Sequence, residues 1–290
     1  MLTDRFAPSP TGELHLGHAF SACVGWSHAR AGGGRYLLRM EDLDEGRVRA
    51  RFVDDILRDL RWLGIDWDGE VLFQSTRIPA HLAALEHLGA QGLTYRCTCS
   101  RRDILEAASA PQEGASAPHG PDGLVYPGTC RAQPVSDSPA AIRLNMARAV
   151  EWLGGADVVA RIGFTETGAG PDGESGRIAL DARALIEGTG DIVLRRRDGA
   201  PAYHLAVVVD DAFQEVTRVT RGRDLFVATP VQRLLQALLG LPEVEYHHHR
   251  LIRDESGRRL AKRDRDLSLS ALRAAGATPE EVLRGLGLRA

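Results

Sequence analysis

Lysine is nearly missing from this chain. Of 36 lysine and arginine residues, 35 are arginine and one, Lys262, is lysine. Cysteine is scarce too, at four in 290 residues. That is too few for a disulfide scaffold, so a reducing cytoplasm is expected. No apolar run approaches the roughly 20 residues that span a bilayer, which excludes a membrane-spanning helix. The opening MLTDRFAPSP lacks an apolar h-region, so a secretory signal is not expected. A positive net charge is lacking as well: the formal charge is -3. This excludes a generally basic nucleic-acid binder. It leaves room for a local basic face, because affinity for phosphate follows local fields. What remains is ordinary for a soluble globular protein, 43% apolar and 26% charged. The length suits one large domain or two modest ones. A bias that replaces lysine wherever arginine serves makes the lysine that survives informative.

Residues 3–7 read as a short strand, and the turn PSPTG follows. A helix-like stretch runs from Gly17 to about Arg30, and RYLLRM (35–40) reads as a buried strand ending in acids. Residues 49–63 carry Phe52, Ile56, Leu60 and Leu63 at helical spacing. PAHLAALEHLGAQG is another helix closed by glycine. Strands alternating with helices predict a parallel α/β sheet. The alternation breaks at CTC (97–99). Residues 108–123 are rich in Ala, Ser, Pro and Gly, as in a mobile loop, and 167–177 reads likewise. A hairpin is expected to turn at Asp198-Gly199, with more sheet and helix after it. Residues 229–239 read as a helix, 246–252 as a strand and 267–287 as two short helices. The expected division is 1–96 and 141–240 as halves of one catalytic domain, 97–140 as an insert, and 241–290 as a terminal segment. No dimerisation stripe is evident, so a monomer is expected.

The loop RFAPSPTGELHLGH (5–18) lies between the first strand and the first helix. An open α/β sheet places its ligand there, beyond the carboxyl ends of the strands. Gly12 and Gly17 allow close backbone approach, and N–H groups at a helix start favour anions. His15 and His18 could donate to phosphate oxygens. H-x-x-H could also hold a metal, or the two could be structural histidines. The whole string resembles the signature loop of the class I aminoacyl-tRNA synthetases, with HLGH in place of HIGH. RFAPSPTG followed by LHLGH resembles their glutamyl branch. The resemblance implies a Rossmann-type catalytic domain with His15, Gly17 and His18 at ATP.

That family has a second signature, KMSKS, whose second lysine contacts ATP phosphates as pyrophosphate leaves. RLAKR (259–263) resembles it, with Lys262 at the fourth place. Arginine replaces the first lysine, alanine the first serine, and arginine the last residue. What the fourth place keeps is a compact ammonium on a flexible stem, which can follow a moving phosphate where a planar guanidinium prefers a fixed fork. A solvated charged loop is the plainer reading of RLAKR.

An acidic α-amino acid needs cations for two carboxylates and an anion for its ammonium, and arginine forks suit carboxylates. The resemblance implies a glutamate site of Arg5, Ser9, Glu41, Tyr203 and Arg221, with Phe6, Ala7 and Pro8 beside it. Which arginine holds which carboxylate stays open. Asp42, Asp44, Asp210 and Asp211 could instead make ordinary ion pairs with these cations.

Cys97, Cys99 and Cys130 flank the expected insert, while Cys23 lies apart. Three thiolates are one short of a closed tetrahedral zinc site. Tyr126, His119 and Asp122 are candidates for the fourth place. Ligand chemistry favours His119, since a phenol titrates near 10. A short glutamyl-queuosine tRNA(Asp) synthetase branch of the family carries C-x-C and then Y-x3-C as its zinc site. Similarity to CTC and YPGTC implies Cys97, Cys99, Tyr126 and Cys130 around one structural Zn²⁺.

After RLAKR about 27 residues remain, enough for two short helices. The resemblance thus covers the catalytic half of a full glutamyl-tRNA synthetase, without its anticodon-binding domain. It implies ATP-dependent activation of L-glutamate, with Mg²⁺ accompanying ATP. The glutamyl group would then pass to queuosine in the anticodon of tRNA(Asp). A minimal glutamyl-tRNA synthetase, a nucleotidyl transferase and an inactive zinc-containing RNA-binding module are the alternative readings.

Overall fold

The computed structural model describes residues 1–108, 119–133, 138–252 and 268–288. RLAKR and Lys262 lie outside the described residues. The first half follows the alternation in the sequence. β1 (Thr3–Phe6) leads through the loop 7–15 into α1 (Leu16–Ala31), and β2 (Arg35–Met40) pairs parallel to β1. α2 (Ala50–Trp62) turns Ile56 and Leu60 inward, as their spacing predicts. β3 (Leu72–Phe73) adds a third parallel strand, and α3 (Ile78–Ala90) closes this half.

The middle is built differently. β4 (Thr94–Cys97) and α4 (Arg101–Ala108) are followed by a two-residue-wide hairpin of β5 (His119–Gly120) and β6 (Gly123–Leu124). Of the stretch expected to be a loop, the hairpin takes up the far end and α4 only the first residue, Ala108, while 109–118 lie outside the described residues. β7 (Ala141–Leu144) precedes α5 (Met146–Trp152) and α6 (Ala156–Arg161). β8 (Gly163–Glu166) and β9 (Gly176–Ala179) form an antiparallel hairpin, and its link closes with Gly170 N–H on Glu174 O at 2.8 Å. β10 (Val193–Arg195) ends before the turn expected at Asp198-Gly199. The turn is present, with Arg196 N–H on Ala200 O at 2.8 Å and Gly199 at φ +94°. Its return strand is a single bridge from Arg195 to Pro201. Proline has no N–H with which to continue a ladder. β7 lies between β4 and β10, antiparallel to both, so this sheet departs from the parallel expectation.

The last part returns to parallel pairing. α7 (Tyr203–Phe213), β11 (Arg218–Gly222), α8 (Thr229–Leu238) and β12 (Glu245–His249) place β12 between β11 and β8, parallel to both. β12 stops three residues short of the expected Ile252. α9 (Leu269–Ala274) and α10 (Pro279–Gly285) are the two expected short helices. Thr217 N–H donates to Thr3 O at 2.9 Å, and the Asp4 carboxylate accepts from Thr220 N–H at 3.2 Å and Thr220 Oγ1 at 2.5 Å. β1 therefore lies alongside β11, running the same way. Side by side the two sheets give the order β3-β2-β1-β11-β12-β8-β9, parallel up to the antiparallel edge strand β9, a doubly wound arrangement whose order reverses at the β1/β11 seam.

Two apolar clusters flank the seam. One holds Phe6, Phe20, Leu38, Ile56 and Leu60, and takes Leu269 from α9, Val282 from α10 and Leu286 just after it. The other holds Phe164, Leu205, Val219, Leu234 and Tyr246. Burial of each such side chain stabilises by about 1.5–3 kcal/mol. No helix among the described residues is long and apolar enough to cross a membrane.

Candidate active site and metal cluster

A cleft of about 360 Å³ opens at the carboxyl ends of β1 and β11, where the strand order reverses. It is lined by Arg5, Phe6, Ala7, Pro8 and Ser9 from β1 and its loop, by His15, Gly17 and His18 at the start of α1, and by Glu41, Tyr203 and Arg221. Every described residue expected at the ATP and glutamate sites is therefore at one cleft. Ser21, Thr220, Gly222, Asp224, Leu225, His249, Leu251 and Ile252 also line it and were not among the expected residues. Asp224 stands in TRGRDL, so its closeness to Arg221 was the available signal. Nothing in HHHRLI singles out His249.

The histidines at the start of α1 have fixed roles. His15 caps the helix, with its Nδ1 accepting from Gly17 N–H at 3.1 Å. His18 Nδ1 accepts from His15 N–H at 3.2 Å, and the two rings stack at 3.8 Å. In the neutral form each ring then carries its proton on Nε2. Nε2–H is a donor suited to an anion, and the helix N-terminus favours negative charge in the same place. A Cβ on Gly17 would lie 3.0 Å from His15 Cε1, so glycine is what leaves room for the cap. With both Nδ1 atoms committed to backbone N–H groups, H-x-x-H does not form a metal pair through them. The one candidate metal cluster among the described residues lies elsewhere.

The cationic groups of the cleft differ in their partners. Arg5 meets Asp211 through Nε at 2.9 Å and Nη2 at 3.4 Å. Arg39 meets the same carboxylate at 2.7 Å and lies 3.5 Å from Glu41. Burial pushes the Asp211 carboxyl up, but Arg5 and Arg39 outweigh it and hold the group below the usual range. Burial also raises Glu41, and Arg39 and Arg5 offset only part of that. Arg221 has no carboxylate partner among the described residues. Its neighbours are His248 at 3.1 Å, Gln232 at 2.8 Å and Thr229 at 2.8 Å. Of the four aspartates that could make ordinary pairs, Asp211 does so here. Asp210 serves Gln74, Arg77 and His81, Asp42 bonds Ser75, and Asp44 bonds Arg47.

Cys97, Cys99 and Cys130 bring their sulfurs within 4.8 Å of one another. Cys99 and Cys130 are 3.5 Å apart, and Tyr126 Oη is 3.5 Å from Cys99 Sγ. Tyr126 Oη also accepts Cys130 N–H at 2.8 Å, and the Arg143 guanidinium lies 4.0 Å over its ring. Thiolates at the usual zinc distance lie roughly 3.8 Å apart in a tetrahedron, so three of them here fit such an ion. Burial raises Cys99 to about 11. Burial acts the same way on Cys130, but hydrogen bonds from Tyr126, the Thr98 backbone and the other thiols bring it down to about 6. The cluster takes in neither His119 nor Asp122, and Asp122 binds His204 at 3.1 Å. Cys23 sits alone in the first core, its thiol raised by burial to about 12.

The whole chain, residues 1–290, matches the family model for tRNA synthetases class I (E and Q), catalytic domain. It is 53% identical over 98% of its length to a glutamyl-Q tRNA(Asp) synthetase of Rhodobacter capsulatus, and covers 99% of that protein. Proteins of the same name from Nocardia farcinica and Deinococcus radiodurans are 45% and 44% identical, with 81% and 88% of their lengths covered. Among solved structures, a glutamate tRNA ligase from Elizabethkingia meningosepticum in complex with its amino acid superposes with a TM-score of 0.70 at 24% identity. A glutamate-tRNA synthetase from Elizabethkingia anophelis does so at 0.71, also at 24%. Each superposition takes in 91% of this chain, which spans about half of the solved chains, 52% and 53%. These likenesses show a shared fold. The chain belongs to the class I tRNA synthetases of the E and Q type, among the glutamyl-Q tRNA(Asp) synthetases, and is a ligase of that class.

Proposed function

We propose that this protein activates L-glutamate with ATP and transfers the glutamyl group to queuosine in the anticodon of tRNA(Asp). The observation that carries the amino-acid assignment is Arg221, a buried guanidinium facing the cleft without a carboxylate partner among the described residues. A ligand carboxylate completes it. Glu41 stands in the same cleft for the ligand ammonium. The acceptor is carried by the relatives of matching length. In the first step a glutamate carboxylate oxygen attacks the α-phosphorus of ATP, and the bond to the bridging oxygen breaks to release pyrophosphate. Mg²⁺ accompanies the ATP. His15 and His18 stabilise the phosphates by position and electrostatics. Lys262 is assigned to the leaving phosphates. Ile252 lines the cleft and Ser268 makes a backbone bridge to His15. In the second step a queuosine hydroxyl attacks the mixed anhydride and AMP leaves.

The division into a catalytic domain and an insert at 97–140 belongs to this reading. One Zn²⁺ held by Cys97, Cys99, Cys130 and Tyr126 would staple the insert rather than act in catalysis. The deciding experiment follows labelled glutamate into matched tRNA(Asp) with and without queuosine, and into tRNA(Glu). Label on the queuosine-containing tRNA alone is expected. Label on the 3′ end of tRNA(Glu) would establish a minimal glutamyl-tRNA synthetase instead. No label, and no glutamate-dependent pyrophosphate exchange from folded protein, would overturn the enzyme reading in favour of the inactive module.

A further inference from the structure

Arg5 and Arg221 both face the cleft, but their charges are balanced in different ways. Arg5 touches Asp211 directly. Arg221 donates from Nε to His248 Nε2, and behind that imidazole stands Glu166, with 2.5 Å between His248 Nδ1 and Glu166 Oε2. Both side chains are 0% exposed. Since His248 Nε2 accepts from Arg221, the imidazole proton sits on Nδ1 and goes to Glu166. Three neighbouring strands each supply one member: Glu166 from β8, His248 from β12 and Arg221 from β11, the last two directly opposite in register.

Glu166 is itself fixed. Its Oε1 accepts from Gly168 N–H at 2.7 Å and His248 N–H at 2.9 Å. A Cβ at Gly168 would lie 2.3 Å from His248 O, so only glycine lets the chain pass this close. His248, Gln232 and Thr229 take three donors of Arg221, and a guanidinium has five, which leaves two for a ligand.

This arrangement solves a conflict. A buried guanidinium with no counter-charge is strongly destabilising. A carboxylate in direct contact would occupy the fork and weaken its attraction for a second anion. One imidazole between the charges keeps the counter-charge near and the fork open. We propose that Glu166 and His248 are positioning residues that hold Arg221 as the reader of a ligand carboxylate, and so select a side chain ending in carboxylate over the matching amide. This rests on the glutamate reading above and deepens it. An amide can turn only its carbonyl oxygen toward the fork and brings no charge, so it forfeits the charge-assisted bond.

The test compares His248→Gln, His248→Leu, Glu166→Gln and Arg221→Gln. Each is measured by pyrophosphate exchange, with separate KM values for glutamate and ATP and with glutamine as the competing amino acid. The rise in melting temperature with glutamate gives affinity independently of turnover. Glutamine at 248 keeps one acceptor and one donor, so that variant should stay close to the parent. His248→Leu and Glu166→Gln should raise the glutamate KM roughly ten- to hundredfold, the worth of a charge-assisted bond. Their ATP KM should hold, and their preference for glutamate over glutamine should fall. If the leucine variant does not fold, Glu166→Gln decides. Glutamate KM unchanged in these variants, or both KM values raised alike, would overturn the positioning role. Arg221→Gln separates the two readings: if it too leaves glutamate binding unchanged, the glutamate site itself is wrong.

Discussion

His247, His248 and His249 are consecutive on one strand and have three different environments. His248 joins Arg221 to Glu166. His249 lines the cleft and sets its Nδ1 against Arg250 O at 2.8 Å. His247 packs edge-on against the His28 ring at 4.5 Å. Burial lowers its pKa to about 4, helped by the neighbouring His28, Arg218 and His249 and opposed by Glu166. An unfolded histidine titrates near 6.5. Unfolding therefore takes up a proton between these two values, and stability rises with pH across that window. The contribution of neutral His247 is whole above about 6.5 and is lost as pH falls toward 4. His247→Gln should flatten the fall in urea midpoint over that range. An unchanged acid slope would place its source elsewhere. The run HHH shows that histidines are present, but alternation along a strand cannot say which faces a partner.

At the scale of elements, the loop 7–15 and the start of α1 were the most legible part. The glycines, prolines and histidines of RFAPSPTGELHLGH act through backbone contacts a few residues away, so local spacing carries them. Gly17→Ala makes this testable. Gly17 is the second residue of α1, outside the interior where alanine gains most over glycine, so melting temperature should change little. The alanine Cβ would press on the His15 ring at 3.0 Å, and pyrophosphate exchange should fall about tenfold. Unaltered exchange would remove the His15 cap from the machinery. The antiparallel β4-β7-β10 sheet was not legible. Its strands have four, four and three residues, and β4 meets its partner more than forty residues along the chain. Such short runs carry no pattern that reveals pairing direction.

At the scale of the whole molecule, a buried Asp191 joins the cysteine cluster to the rest. It accepts from Tyr95 Oη at 2.5 Å, Arg131 Nε at 2.5 Å and Met146 N–H at 2.9 Å. Arg131 follows Cys130 directly, so loss of the cluster should be felt in the β4-β7-β10 sheet. Cys130→Ser should lower bound zinc from about one ion per chain and lower the melting temperature. Metal analysis of the purified parent chain and the variant checks this. A parent chain without zinc would make the cluster a small thiol core.

The sequence by itself determined the local chemistry: the histidine-capped helix start, the cysteine pattern, the lone lysine and the α/β alternation. Each depends on residues close together in the chain or on composition. Only the tertiary structure decided how charges pair. Arg5 and Arg221 share a cleft because β1 lies beside β11, joined by Thr3, Asp4, Thr217 and Thr220. Asp211 rather than Asp210, Asp42 or Asp44 balances Arg5, and Glu166 balances Arg221 through an imidazole. In sequence all these carboxylates look alike. Burial at the seam and strand register choose among them, because a charge taken from water must find its partner within a few ångströms.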